Sequence, residues 1–307
     1  MNAMTQGTEM NNTNTNATNA TNAISTSAML VELSISTWTG RKLDKTASTE
    51  VTTSKRAIKG AANVNKKLLA DCDELTAVQK FAANCRTAHY DCTMPWSDMG
   101  LRLLPTTKYF DYHEKMTGLR AEFDKLVGKF IEVYDWEIAQ AQVKLGDLFN
   151  VTEYPDKEQI RAKFKFNMFY MPVPDAGDWR LDVNNETLHD LTNHYSTYYE
   201  SQLNKAMRDL WGRLNSVLSR MSDRLDYSDS QTKKIFRDNL VDNVMEVVEM
   251  MKSCNITGDT QMTAAAQKLE STLLGVTPDA LREDDYLRYE TKQKVDEVIR
   301  NLPSLDI

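Results

Sequence analysis

The sequence predicts a mainly α protein: a long antiparallel helical pair with a small antiparallel β-sheet or hairpin, followed by a C-terminal helical module. Three observations lead there. First, two long stretches place apolar residues every three or four positions. One runs from Tyr109 and Tyr112 through Met116, Phe123, Leu126, Phe130 and Tyr134 to Leu145 and Leu148, the other from Leu188 through Tyr195, Leu203, Met207, Leu210 and Leu214 to Leu225. That spacing keeps one apolar stripe on each helix, and a striped helix needs a partner surface. The economical partner is the other stripe, with the intervening segment carried at the tip. Second, that segment is rich in aromatic and β-branched residues around Pro174-Asp175-Ala176-Gly177-Asp178, a composition suited to a hairpin. Third, 11 Gly and 7 Pro in 307 residues are too few for a turn-rich, many-stranded fold.

Taken in order, residues 1–28 form an Asn/Thr/Ala low-complexity tail. Such a segment has almost no apolar surface to offset ordering entropy, so disorder is expected. From Met29, Val31, Leu33 and Ile35 alternate with more polar positions, a half-buried strand pattern. A basic helix or turn follows at Arg41, Lys42 and Lys45. A helix is expected from Leu68 to about Asp91, and Pro95 and Pro105 bound the loop that ends it. Thr106 reads as the N-cap of the first long helix, which should end near Phe149-Asn150. Asp156-x-x-Gln159 has capping-box spacing. Strands at 164–172 and 179–183 flank the turn, with the Met29 strand as a candidate third, and Asn184 or Asn185 starts the second long helix. Beyond it, Ser228-x-x-Gln231 opens an amphipathic helix, Gly275 ends a shorter one, and Thr277-Pro278 is an N-cap followed by proline at the first helical position. The domain reading is therefore a tail at 1–28, a helical-pair core at 29–227 with its hairpin near 164–183, and a C-terminal helical region at 228–307.

A net charge of −7 disfavours nonspecific attraction to nucleic acid or anionic membrane. Cys72, Cys85, Cys92 and Cys254 are too few and too unevenly spaced for a disulfide framework. No signal peptide is visible, and no apolar run approaches the roughly 20 residues that cross a bilayer. A cytoplasmic setting is expected, and the Asn-x-Thr triplets read as accidents of composition.

Cys85, His89 and Cys92 sit at i, i+4 and i+7, which would align them on one helix face with His113 as a fourth ligand from the next helix. Structural zinc sites usually pair close cysteines with a second knuckle, absent here, so buried packing is the expectation and no metal is assigned. In Lys163-Phe164-Lys165-Phe166, alternation puts cations and rings on opposite faces of a strand. Single-strand binders need both on one face, so a half-buried strand is expected. Lys205, Arg208, Arg213, Arg220 and Arg224 lie among acidic neighbours on the second helix, as a solvated, salt-bridged face does. Two loops combine tryptophan with carboxylates: Trp96 with Asp98, and Asp175 with Trp179. Loops gather recognition residues and tryptophan is enriched at hot spots, so these four are the candidate partner-binding residues. The plainer expectation for Trp96 and Trp179, favoured about two to one, is that they plug the ends of the helical pair, because a buried tryptophan contributes so much packing area. No phosphate loop, His-Glu-x-x-His or Gly-x-Ser-x-Gly elbow is present. Neither catalytic residues nor a cofactor is assigned.

Several short strings carry a likeness to known sequences. They include Leu33-Ser34-Ile35-Ser36, Thr39-Gly40-Arg41-Lys42-Leu43-Asp44, Arg86-Thr87-Ala88-His89-Tyr90, Met94-Pro95-Trp96-Ser97-Asp98, Arg102-Leu103-Leu104-Pro105, Leu145-Gly146-Asp147-Leu148-Phe149, Lys163-Phe164-Lys165-Phe166 and Pro172-Val173-Pro174-Asp175-Ala176-Gly177-Asp178. Through them, residues 29–225 resemble a family of uncharacterised proteins encoded by bacterial viruses and prophages. The resemblance implies a phage-related protein of the host cytoplasm. Members look like neighbours of genes for ring-forming AAA+ ATPases and metal-adhesion-type proteins, which points to a partner rather than an activity. The expected function is a non-enzymatic adaptor or assembly factor acting through protein partners, an AAA+ ATPase being the implied class. The alternative is a nucleic-acid-binding accessory protein of phage replication.

Overall fold

The computed structural model describes residues 26–173, 185–226 and 238–304. Of the tail expected at 1–28, residues 1–25 lie outside the described residues, as do the turn and second strand at 174–183 and the capping box at Ser228; its last residue, Ala28, is buried and already belongs to a strand. Within them the protein is mainly α, with nine helices, a small sheet with antiparallel pairing, and a helical C-terminal region. No helix among the described residues is long and apolar enough to cross a membrane.

The chain divides into two compact units that interleave along the sequence. One consists of residues 33–91 and 111–169; the other takes residues 92–110 and 170–307 together with the end of the first 32 residues. The C-terminal helices share a core with the second long helix.

In the first of these units, strand β2 (Arg41–Asp44) pairs antiparallel with β3 (Val64–Lys67), with Arg41 opposite Lys67 and Asp44 opposite Val64. The basic stretch expected as a helix or turn is thus a strand as far as Asp44. There the Asp44 carboxylate accepts from the Ala47 amide at 2.9 Å and caps helix α1 (Lys45–Ser54). Helix α2 (Asp73–Cys92) buries Leu75, Val78, Ala82, Cys85 and His89. Helix α3 (Tyr109–Leu145) is the first long helix. Thr106 does not cap it; a 3-10 turn at Thr106–Lys108 leads in, and another at Gly146–Leu148 follows its end. Short helix α4 (Lys157–Arg161) is capped by Asp156, which accepts from the Gln159 amide at 2.8 Å, as its spacing indicated.

The α3 stripe meets rings from several elements of its own unit. Phe130 packs against Trp38, Tyr134 and Phe164, and Phe123 against Phe166, with centroids 5.6 to 6.2 Å apart. The Tyr134 hydroxyl donates to the Pro155 carbonyl at 2.8 Å, and Tyr154 donates to Leu68 at 2.7 Å. Phe164 and Phe166 turn inward while Lys163 and Lys165 are exposed, the half-buried alternation expected there.

Gly40 is the residue that lets the chain turn from Trp38 into β2. Its φ is +62°, and a Cβ built there would stand 2.9 Å from the Leu75 side chain. Gly40→Ala combines a left-handed backbone penalty with crowding, and should lower stability by about 1–2 kcal/mol. Chemical denaturation checks this; an unchanged midpoint would show that neither constraint holds.

Elsewhere, β1 (Ala28–Ser36), β4 (Met94–Pro95), β5 (Arg102–Pro105) and β6 (Lys165–Pro172) form a four-stranded sheet in the order β4-β5-β1-β6. Ala28 pairs with Pro105 and Leu30 with Leu103, so the Met29 strand does join a sheet. The second long helix, α5 (Asn185–Leu225), packs on α6 (Leu240–Cys254) and α9 (Asp285–Arg300). Helix α7 (Thr260–Leu273) packs on both of those, and α8 (Pro278–Glu283) leads into α9. Thr277 caps α8 through the Ala280 amide at 3.1 Å, with Pro278 behind it. Leu203, Leu210, Leu214, Leu218 and Met221 of α5 lie in one apolar core with Val244, Val248 and Met251 of α6 and Val295 and Val298 of α9. The α5 stripe is covered by these helices, which explains the amphipathic pattern of the C-terminal third.

Candidate functional site

The candidate interaction site is built on the β4–β5 hairpin, where Met94 pairs with Leu103 and Pro95 with Arg102. The amides of Trp96 and Ser97 both donate to the Leu101 carbonyl, at 3.2 and 3.0 Å, and close the loop. Gly100 has φ +99°, a conformation that suits glycine at the end of such a turn. The tip is Asp98-Met99. The Asp98 side chain is 92% exposed and Met99 is 91% exposed.

The base of the hairpin is fixed to α5. Trp96 is 3% exposed, and its ring lies 5.4 Å from that of Tyr199. Tyr199 in turn meets Tyr198, which is partly open to solvent. The Thr93 carbonyl accepts from two guanidinium groups, Arg102 at 2.8 Å and Arg213 at 2.9 Å. Arg213 is itself paired with Asp209 at 2.7 Å. At the tip the Lys205 ammonium stands 2.9 Å from Asp98 and holds its carboxyl below the usual carboxylate range. The arrangement presents a polarizable, adaptable methionine next in sequence to an ion-paired carboxylate, on a backbone that packing holds in place.

Of the four residues singled out in the sequence, Trp96 is thus a buried anchor of its loop and Asp98 lies at the exposed tip. Asp175 and Trp179 lie outside the described residues. Met99 and Tyr198 are not among those four, and Lys205 enters the sequence reading only as part of the basic face of the second helix.

The basic face of α5 is largely engaged. Besides Lys205 and Arg213, Arg220 donates to the Ser216 carbonyl at 3.1 Å, while Arg208 is exposed. Cys85 is fully buried, and burial pushes its thiol up. His89 is buried too, with Nδ1 2.7 Å from the Tyr112 hydroxyl. Cys92 is half-buried and His113 is exposed. Among the described residues, the side chains of metal-binding type that do converge are a different set, Cys72, Glu74 and Glu137.

Residues 26–222 match the model of a family described as a protein of unknown function (DUF3150). No curated protein and no solved structure matches the chain.

Proposed function

The chain belongs to the DUF3150 family of proteins of unknown function, and for this member we propose a non-enzymatic role as an adaptor or assembly factor in phage or prophage growth. It acts in the host cytoplasm through a protein partner of the ring-forming AAA+ ATPase class. The observation that carries the reading is the hairpin tip. Met99 is almost wholly exposed, yet the backbone beneath it is anchored by Trp96 and two arginines. An apolar knob on an anchored backbone, beside the Asp98–Lys205 ion pair, offers contact area without the entropy cost of ordering a floppy loop. Buried central anchors of this kind dominate protein interfaces.

The test is affinity purification of the full chain from cells in which it functions, with nuclease added to remove bridging nucleic acid. The expected result is that an AAA+ ATPase is retained after nuclease. Met99→Glu should weaken its capture by about 30-fold, the size of a hot-spot loss of about 2 kcal/mol, while circular dichroism is unchanged. Capture lost on nuclease treatment, together with polyanion binding that weakens steeply with salt, would replace this reading with the nucleic-acid accessory role.

A further inference from the structure

Cys72 and Glu74 are two residues apart, with the Cys72 sulfur 3.9 Å from the Glu74 carboxylate, and Glu137 comes from a distant part of the chain; one ligand atom from each lies within 4.8 Å of the others. Cys72 stands just ahead of α2, its sulfur 3.5 Å from the Leu75 amide, and Glu74 lies in the first turn of that helix. Glu137 arrives from α3 with only 6% of its side chain exposed. Its nearest cation is the Lys144 ammonium at 3.9 Å, beyond hydrogen-bonding distance, and Lys144 gives its hydrogen bond to the Ala70 carbonyl at 3.0 Å. Among the described residues no donor reaches the Glu137 carboxylate. Burial pushes the Glu137 carboxyl up, so a proton or a cation is what stabilises it there.

We propose that Cys72, Glu74 and Glu137 are the protein ligands of a zinc-type divalent cation that clips the start of α2 to α3. One sulfur and two carboxylates make a borderline donor set. Magnesium and calcium prefer all-oxygen sites, whereas zinc takes sulfur at about 2.3 Å and carboxylate oxygen at about 2.0–2.2 Å. Tetrahedral placement at those lengths sets the donors roughly 3.6 Å apart, so the cluster has to close from its present spread of up to 4.8 Å. Binding displaces the thiol proton to solvent. The thiolate and two carboxylates then carry three negative charges, balanced by the divalent ion and the Lys144 ammonium. Such neutrality is what a buried cluster requires. Three protein ligands leave a fourth position for water.

Cobalt is the probe that tests this, because a cobalt–thiolate bond gives a near-ultraviolet charge-transfer band. Purified full-length protein, stripped with chelator, should take up about one cobalt ion per chain with that band, and zinc should compete it away. Cys85→Ala, which removes a buried thiol outside the cluster, should keep the band; Cys72→Ala should lose it. Glu137→Gln should weaken metal binding more than about 100-fold, since even outer-shell partners are worth about 10–100-fold. A wild-type protein without the band, or a band that survives Cys72→Ala, overturns the assignment. Should Cys72→Ala fail to fold, alkylation of the wild type decides. Zinc must protect Cys72 as mapped by mass spectrometry, and equal modification with and without zinc overturns the site.

Discussion

Leu214→Asp is expected to leave the unit built on α5 largely unfolded at room temperature. Leu214 is fully buried, at the centre of a core shared by α5, α6 and α9. Removing the isobutyl group alone costs about 2–5 kcal/mol. The aspartate must then either hold an unpaired charge in apolar surroundings or take up a proton, and each adds several kcal/mol. The sum approaches the roughly 5–15 kcal/mol that holds an ordinary domain together. Leu274→Asp is the control: Leu274 is 85% exposed, and its replacement should move stability by no more than about 0.5 kcal/mol. Urea denaturation followed by circular dichroism measures both. A wild-type midpoint for Leu214→Asp would contradict the packing of α5 described above.

Lys66→Met should destabilise the other unit by about 3 kcal/mol, the scale of breaking a buried ion pair from one side. The Lys66 side chain is 5% exposed, and its ammonium meets three oxygens: Leu148 carbonyl at 2.7 Å, Glu153 at 2.9 Å and Asp44 at 3.0 Å. It thereby ties β3 and the cap of α1 to the turns that follow α3. Methionine fills the space but leaves both carboxylates without their cation. The effect has a pH window. Asp44 is held below its ordinary 3.8, first by the Ala47 amide and then by Lys66. Its contribution is complete above 3.8 and is lost as pH falls through the lower folded value. Burial pulls Lys66 down, but its hydrogen bonds to Glu153 and Asp44 outweigh this and raise it above 10.5. Its contribution is complete below 10.5 and is lost as pH rises through the raised folded value. The gap between wild type and variant should therefore be widest between these limits and narrow beyond both, as denaturation across the pH range will show.

The elements that sequence revealed best are those governed by local physics. The 3.6-residue period located both long helices, and the Asp156 and Thr277-Pro278 caps lie where their spacing put them, because a cap needs only residues within one turn. The Lys163–Phe166 alternation likewise predicted which side chains turn inward. Less legible was anything that depends on which surfaces meet. A stripe announces that α3 and α5 need cover, but not that the cover is an aromatic group around Trp38 and Phe164 for one and the C-terminal helices for the other. The tetrad Arg41–Asp44 reads as a basic turn until β3 is seen beside it.

The candidate sites divide along the same line. Spacing along one helix drew attention to Cys85, His89 and Cys92, whereas the residues that converge, Cys72, Glu74 and Glu137, are joined only by the approach of α3 to the start of α2. Trp96 was chosen for its chemistry, but a large apolar ring beside a core is more stable inside it. The exposed contact chemistry of that loop falls instead to Asp98 and Met99.

Site-specific photo-crosslinking from position 99 tests the central claim most directly. A photoreactive amino acid replaces Met99 in one full-length variant and Tyr286, an exposed residue of α9, in another, and both are irradiated in cells where the protein functions. Position 99 is expected to join to a protein of the AAA+ ATPase class, and position 286 is not. Crosslinks from position 99 to nucleic acid, or a partner captured from position 286 while position 99 captures none, would contradict that claim.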